Sequence, residues 1–481
     1  MTSEKAGRWT PAWTLGLVLF LATLVRGVVA AKLDLSPDEA YYWTWSQQWL
    51  LGYFDHPPMV AWLIGISTTL FGHNELAVRL PALLLSVVSV WALFRITERL
   101  VEDAKVAMWV ALLACSTPLM AVGSIIHTPD AALSAAWAWA LVFAMDAMRK
   151  NRWRDWLGLG LALGLGLLAK ASAWLLLPGL GLFVLTSKAG RDRLMGVGPV
   201  LAVFVALLLA APNLWWELGH GGQSLGFQWA HVFGELRFRP LGVLDFLGAQ
   251  AGVISPLIFV ACIVFWFTGW RRGVRFGRPE AYLLWCTSGP WIIGFLLLSS
   301  LQRVEANWPA PVYLAALPGM AWALLGGGTY LRRRKLWVSL ALGLSLVTTL
   351  IVHAHALSPF LPLPADRDPT ARLRGWKELS IQAVADADAL GVCMASEGYG
   401  PVSELAFYSQ RSVAYEPNST RRSQFDLNPE SDRCSGWLVL QPVTSQHKPR
   451  RCQGNQERLR LSPRDSRFVW WVCGHAEEAK P

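Results

Sequence analysis

The chain has 481 residues, of which 53% are hydrophobic and only 16% charged, and it carries 27 tryptophans, far to the apolar side of a soluble globular protein. That composition excludes a soluble enzyme and points to a polytopic α-helical membrane protein. The formal net charge of +10 does not indicate a nucleic-acid partner, because Lys and Arg fall in short clusters between apolar runs and form no basic patch within a foldable domain.

Apolar runs long enough for a hydrocarbon core of roughly 30 Å recur over the first three quarters of the sequence. In chain order they predict spans near residues 12–31, 76–98, 106–126, 131–148, 155–169, 172–187, 194–214, 243–268, 280–300, 309–328 and 336–356, about eleven transmembrane helices. The first run, WTLGLVLFLATLVRGVVAA, has no clear small-residue cleavage site and is expected to remain as the first helix. The joints RITERLVEDAK, RKNRWRD, SKAGRDR, RRGVRFGR and RRRK are rich in Lys and Arg and the others are poor. The rich joints are expected in the cytoplasm, which places the N-terminus inside and everything after residue 356 outside.

Between the first two spans lies a long exterior loop, residues 32–75. Its segments DEAYYWTWSQQWLLGYF and PPMVAWLIGISTTLFG are too short or too interrupted to span, and their Trp and Tyr content suits interfacial helices. From about Leu361 the composition changes. WKELSIQAVADADAL reads as an amphipathic helix, and GVCMAS, SVAYEP, GWLVLQP and FVWWVCG read as strands. The expected organisation is therefore a transmembrane domain over 1–356 and a small exterior α/β domain over 357–481. Four of the seven cysteines, Cys393, Cys434, Cys452 and Cys473, fall in that second domain, where oxidation is favoured, and all three complete pairings are open. The triplet NST at Asn418 matches a glycosylation acceptor, a pattern short enough to recur by chance.

Chemistry-bearing residues gather in the exterior joints. In SPDEAYYW, Ser36, Pro37 and Glu39 have capping-box spacing, so Glu39 is expected to be a structural cap. Asp38 points off the other side of that turn, and an ionisable group held among aromatics at a membrane surface is costly enough to imply a use. In HTPDA, Thr128 is a suitable N-cap, Pro129 a suitable first helical residue, and Asp130 falls in the dipole-favoured first turn. Two loops thus deliver an aspartate to one membrane face, as a general base or a cation site requires. Lys170, Arg237, Arg239 and Arg303 are among the few cations in the exterior joints; they either snorkel to the interface or hold an anionic headgroup. His56, His127, His220 and His231 are scattered, a weak basis for a metal site. Acids, phosphate-binding cations and an aromatic interface on one face suggest an enzyme acting on a phospholipid-like donor. The alternative is a flippase or transporter of a lipid-linked sugar, whose signature would be mid-span polar residues and paired broken helices.

The succession SPDEAYYW, then YFDHPPMVAWLIGISTTLFGHNELAVRLPALL, then HTPDA resembles membrane glycosyltransferases of the GT-C superfamily, in the protein O-mannosyltransferase-like group that includes the lipid A aminoarabinose transferase. The resemblance implies a hexosyl or pentosyl transferase of the bacterial inner membrane. Such an enzyme moves a sugar, with inversion, from a polyprenyl-phosphate donor to a lipid A, other glycan or protein acceptor at the periplasmic face. It implies that Asp38 is the key acid and Asp130 the second acid. YFDHPP lines up with that relative's YFEKPP, so Asp55 corresponds to a glutamate that binds a divalent metal and His56 to a lysine near the donor; His231 resembles a histidine of the same metal site. Arg303 falls where relatives place a base near the lipid phosphate, with Lys170 and Arg237 as further phosphate-binding candidates. Histidine in place of lysine is a departure, because an imidazole neutral at pH 7 grips phosphate less firmly.

Overall fold

The structure is a computed structural model that describes residues 10–234, 236–325, 331–364, 367–416, 421–427, 434, 436–445, 448–452, 456–461 and 467–474. Asn418 lies outside the described residues. The chain forms two compact units: residues 1–29, 56–60 and 79–354 make one, and residues 30–55, 61–78 and 355–481 the other. Most of the loop at 32–75, expected above with the transmembrane part, therefore folds with the C-terminal segment.

The first unit is helical. Among the described residues seven helices are long and apolar enough to cross a membrane, or up to nine if each of two bent pairs counts as one span. The expected spans near 155–169 and 309–328 are present as the shorter helices Trp153–Ala169 and Ala310–Leu325. The span expected at 243–268 is two helices, Gly242–Ile254 and Pro256–Arg275, parted at Ser255 with φ +78°. Pro256 carries no N–H and its ring blocks the preceding turn, so one helix cannot run through it. Small residues allow close helix contacts: a Cβ at Gly160 would stand 2.6 Å from the Ala202 carbonyl oxygen on Val197–Gly219, the close backbone approach that packs helices where no hydrophobic drive exists between them.

One bent pair explains an arginine inside the first span. Helices Ala104–Ser116 and Pro118–Ile125 meet at 63°, and Pro118 leaves carbonyls of the preceding turn without a backbone donor. In an apolar medium such carbonyls need an internal partner. The buried Arg26 donates from Nη2 to the Cys115 carbonyl at 2.5 Å, and the Thr349 hydroxyl donates to the Ser116 carbonyl at 2.7 Å.

The second unit holds the short helix Pro37–Ser46 and all but the first two residues of Met59–Phe71, the two predicted in the first loop. Its sheet comprises β1 (Cys393–Glu397), β2 (Ala414–Glu416), β3 (Gly436–Pro442), β4 (Gln456–Leu461) and β5 (Phe468–Gly474) in the order β2-β1-β3-β5-β4. β1 runs parallel to β2 and β3, while β5 is antiparallel to β3 and β4. Helices Trp376–Leu390 and Tyr399–Ser409 supply Trp376, Leu379 and Leu405 to a core shared with Leu438, Leu440 and Trp470. Helix Tyr399–Ser409 and strand β4 were not expected from sequence; QERLRL alternates charge in a way an edge strand tolerates but a loop equally allows.

The cysteine pairing resolves to Cys393–Cys434 and Cys452–Cys473, with Cys115, Cys262 and Cys286 buried as thiols. Closing 41 residues of chain, the first bridge restricts the unfolded state by about 4 kcal/mol. The double substitution Cys393→Ser with Cys434→Ser is expected to lower the thermal midpoint of the purified protein by several degrees; an unchanged melt would contradict that bridge.

Candidate functional site

The second unit assembles an acid cluster from three stretches of chain. Ser36 caps the helix Pro37–Ser46: its hydroxyl accepts from Glu39 N and its own N–H donates to the Glu39 carboxylate at 2.9 Å. Glu39 is fully buried in this role, as its spacing predicted. The capped turn leaves Asp38 half-buried on the other side, where its Oδ1 accepts from the Tyr399 hydroxyl at 2.9 Å. Gly398, at φ +83°, starts the helix that carries Tyr399, and a Cβ at Gly400 would stand 2.8 Å from Pro37 Cβ. Only glycine admits this approach, which brings Tyr399 over Asp38. Burial, with Asp38 beside it, pushes the Tyr399 hydroxyl well above the usual tyrosine range, so it remains a proton donor.

Asp55 is the second acid of the cluster and is 2% exposed. Its Oδ2 accepts from Arg421 Nη2 at 3.0 Å, and the Tyr41 hydroxyl is hydrogen-bonded to it as well. Arg421 also lies 4.3 Å over the Tyr399 ring, a favourable cation–π placement. Burial works against its charge, yet Asp55 and then Tyr399 hold the guanidinium above its usual pKa. The same short segment is pinned at Gln424, whose N–H donates to the Tyr41 hydroxyl at 2.5 Å and whose Oε1 accepts from Phe54 N at 2.7 Å. Tyr41 packs against Tyr399, Trp45 and Phe425, and Trp45 stacks on Tyr53. The aromatic-rich run that reads as an interfacial helix is thus the floor of this cluster.

The first unit holds a separate polar set. Asp130, in the first turn of Pro129–Lys150, accepts from Lys170 Nζ at 2.8 Å through Oδ1 and from Asn307 Nδ2 at 2.9 Å through Oδ2. Thr128 occupies the N-cap position without a side-chain capping bond, so the expected cap is made by backbone geometry alone. Lys170 is neither snorkelling nor open to solvent; it is about 15% exposed and ion-paired. His56 approaches Gln228, with Nδ1 3.5 Å from Nε2. His231 is exposed, stacked on Phe227 and edge-on to Trp308. Arg303 is 77% exposed and pairs with Glu305 at 3.2 Å, Arg239 reaches Asp245 at 3.8 Å, and Arg237 is exposed with its N–H on the Leu301 carbonyl.

The donor set does not fit the expected resident metal. Among the described residues no three His, Cys, Asp or Glu side chains gather at a candidate metal position, and Asp55, expected as a ligand with His231, already faces a guanidinium. Tyr399, Arg421 and Gln424 were not singled out in the sequence; no local signal marks them, because their partners lie 361, 366 and 383 residues away.

Burial pushes the Asp55 carboxyl from 3.8 up to about 6, outweighing the opposite pull of Arg421. The folded state then holds this proton more tightly than the unfolded chain does. Its contribution of about 3 kcal/mol is full below about pH 4 and lost as pH rises through about 6. The thermal midpoint of the parent protein is therefore expected to fall relative to that of Asp55→Asn between about pH 4 and pH 7; parallel melting curves across that window would refute it.

A family described as dolichyl-phosphate-mannose-protein mannosyltransferase matches residues 55–216. The chain is 29% identical over 411 residues to a lipid A galacturonosyltransferase of Rhizobium johnstonii, covering 83% of each. It is 32% identical over 336 residues to the undecaprenyl phosphate-α-4-amino-4-deoxy-L-arabinose arabinosyl transferase of Pseudomonas paraeruginosa. That match takes in 64% of this chain and spans 57% of the relative's length. In fold it is similar to ArnT of Cupriavidus metallidurans, with TM-score 0.66 and 17% identity over 96% of this chain and 98% of that one. The form of that protein bound to undecaprenyl phosphate gives TM-score 0.64 and 17% identity over 98% and 100%. The matched family, the two relatives and the fold neighbour all support the resemblance to GT-C membrane glycosyltransferases of the lipid A aminoarabinose transferase type.

Proposed function

We propose that this protein transfers a sugar from an undecaprenyl-phosphate-linked donor to lipid A at the outer face of the bacterial inner membrane. The named relatives support donor and acceptor, and the observation that carries the reading is the half-buried carboxylate of Asp38, oriented by Tyr399 on a capped helix end. A small, open apolar groove in the first unit, lined by Leu133, Trp137, Leu167, Trp174, Leu177 and Leu207, offers a hydrocarbon surface to an isoprenoid chain. The distribution of Lys and Arg among the joints favours a cytoplasmic N-terminus and a periplasmic C-terminal segment.

An oxygen of the acceptor attacks the anomeric carbon from the face opposite the phosphate. The new glycosidic bond forms as the carbon–oxygen bond to phosphate breaks, and the electron pair leaves on the polyprenyl phosphate. For a hydroxyl acceptor Asp38 takes the proton; for a phosphate acceptor there is no proton to take and Asp38 only positions the nucleophile. The developing negative charge calls for cations placed in advance, a role assigned to Lys170, Arg237 and Arg303, with His56 as a neutral hydrogen-bonding candidate. Asp130 holds Lys170 in one rotamer for it.

The test uses the purified protein with radiolabelled undecaprenyl-phosphate sugars and an envelope lipid extract. Label is expected to move onto lipid A, and Asp38→Asn to abolish that transfer. Tyr399→Phe, which removes one hydrogen bond to a carboxylate, is expected to reduce it about tenfold or more. Parental transfer by Asp38→Asn removes the catalytic assignment. Label that crosses a bilayer without reaching any acceptor supports the flippase reading instead.

A further inference from the structure

We infer that the cation facing Asp55 is Arg421, supplied by the chain itself, and that the acid pair of this protein operates with a guanidinium where a divalent metal was expected. Three observations carry this. The Arg421 to Asp55 contact is a charge-assisted hydrogen bond to a carboxylate that is almost wholly buried; a dication entering there would meet the guanidinium's like charge at close range. The same guanidinium rests on Tyr399, whose hydroxyl holds Asp38, so a single side chain is tied to both acids. Its placement is built: Ser423 and Asp426 form a capping box, Gln424 is bonded to Tyr41 and Phe54, and Arg422 lies 5.7 Å over the Phe54 ring. A planar fork of donors suits this task better than an ammonium group, because it meets a carboxylate and an aromatic face at once.

Arg421 is on this view a positioning residue. It fixes Asp55 and Tyr399, and through Tyr399 the oxygen of Asp38 that meets the acceptor. The inference deepens the transferase reading and rests on it for the activity readout alone.

The experiment compares the full-length parent in detergent with Arg421→Ala, Arg421→Lys and Arg421→Gln. Metal content is read by elemental mass spectrometry and Mn²⁺ binding by electron paramagnetic resonance, both without any sugar donor. The parent is expected to hold no stoichiometric divalent metal and to transfer sugar undiminished after chelation. Arg421→Ala is expected to bind Mn²⁺ more tightly than the parent, because it leaves a buried carboxylate uncompensated, and to lose transfer by about ten- to a hundredfold. Arg421→Lys is expected to recover part of that transfer, and Arg421→Gln to repeat the gain in Mn²⁺ affinity if the alanine variant does not elute as a single species. A stoichiometric metal in the parent whose removal abolishes transfer would overturn the inference. So would an Arg421→Ala or Arg421→Gln protein with parental Mn²⁺ affinity. If no protein in the series transfers sugar while the Mn²⁺ results hold, the transferase reading fails and the assignment of the cation stands.

Discussion

Two carboxylates in one loop of about forty residues, Asp38 and Asp55, are kept close by a segment that contributes one cation and two hydrogen-bonding edges. Without Arg421 the burial of Asp55 would be an uncompensated cost; with it, the acid stays in place and Tyr399 is drawn over Asp38. The Gly398 and Gly400 backbone, the aromatic floor from Tyr41 to Tyr53 and the short capped turn at Ser423 all serve that contact.

The membrane part answers to a different constraint. Its helices need not be driven together by water, so their contacts depend on small residues such as Gly160 and on every freed backbone group finding a partner. Arg26 and Thr349 show how strictly this is met, each donating to one carbonyl at the break before Pro118. The Asp130, Lys170 and Asn307 set follows the same logic for side chains: an acid and a base at the edge of the apolar region neutralise one another and are completed by an amide.

What was legible in the sequence was local. Capping-box spacing located the helix at Pro37, the aromatic runs gave the two short helices of the first loop, and short strand-like pieces gave β1, β2, β3 and β5. The order of three motifs carried the superfamily. The break at Ser255 escaped because apolar residues flank Pro256 on both sides, and length alone argued for one span. Spacing favoured no pairing among Cys393, Cys434, Cys452 and Cys473, since register across a sheet decides it. Tyr399, Arg421 and Gln424 were out of reach for a simpler reason: an ion pair or a ring contact between distant segments leaves no periodic trace. Lys170 was visible as a cation, but its partner Asp130 was read separately, as a first-turn acid.

The distance along the chain between the acids and their partners also orders events in time. Asp38 and Asp55 are synthesised and delivered to the membrane surface more than 360 residues before Tyr399 and Arg421 exist. During that interval the first loop has its acids but not the Arg421 and Tyr399 contacts. A ribosome that stalls or terminates anywhere in the transmembrane part releases a chain that can hold many of its helices and none of its completed acid cluster. The cluster can therefore close only after Arg421 has been made, long after its acids.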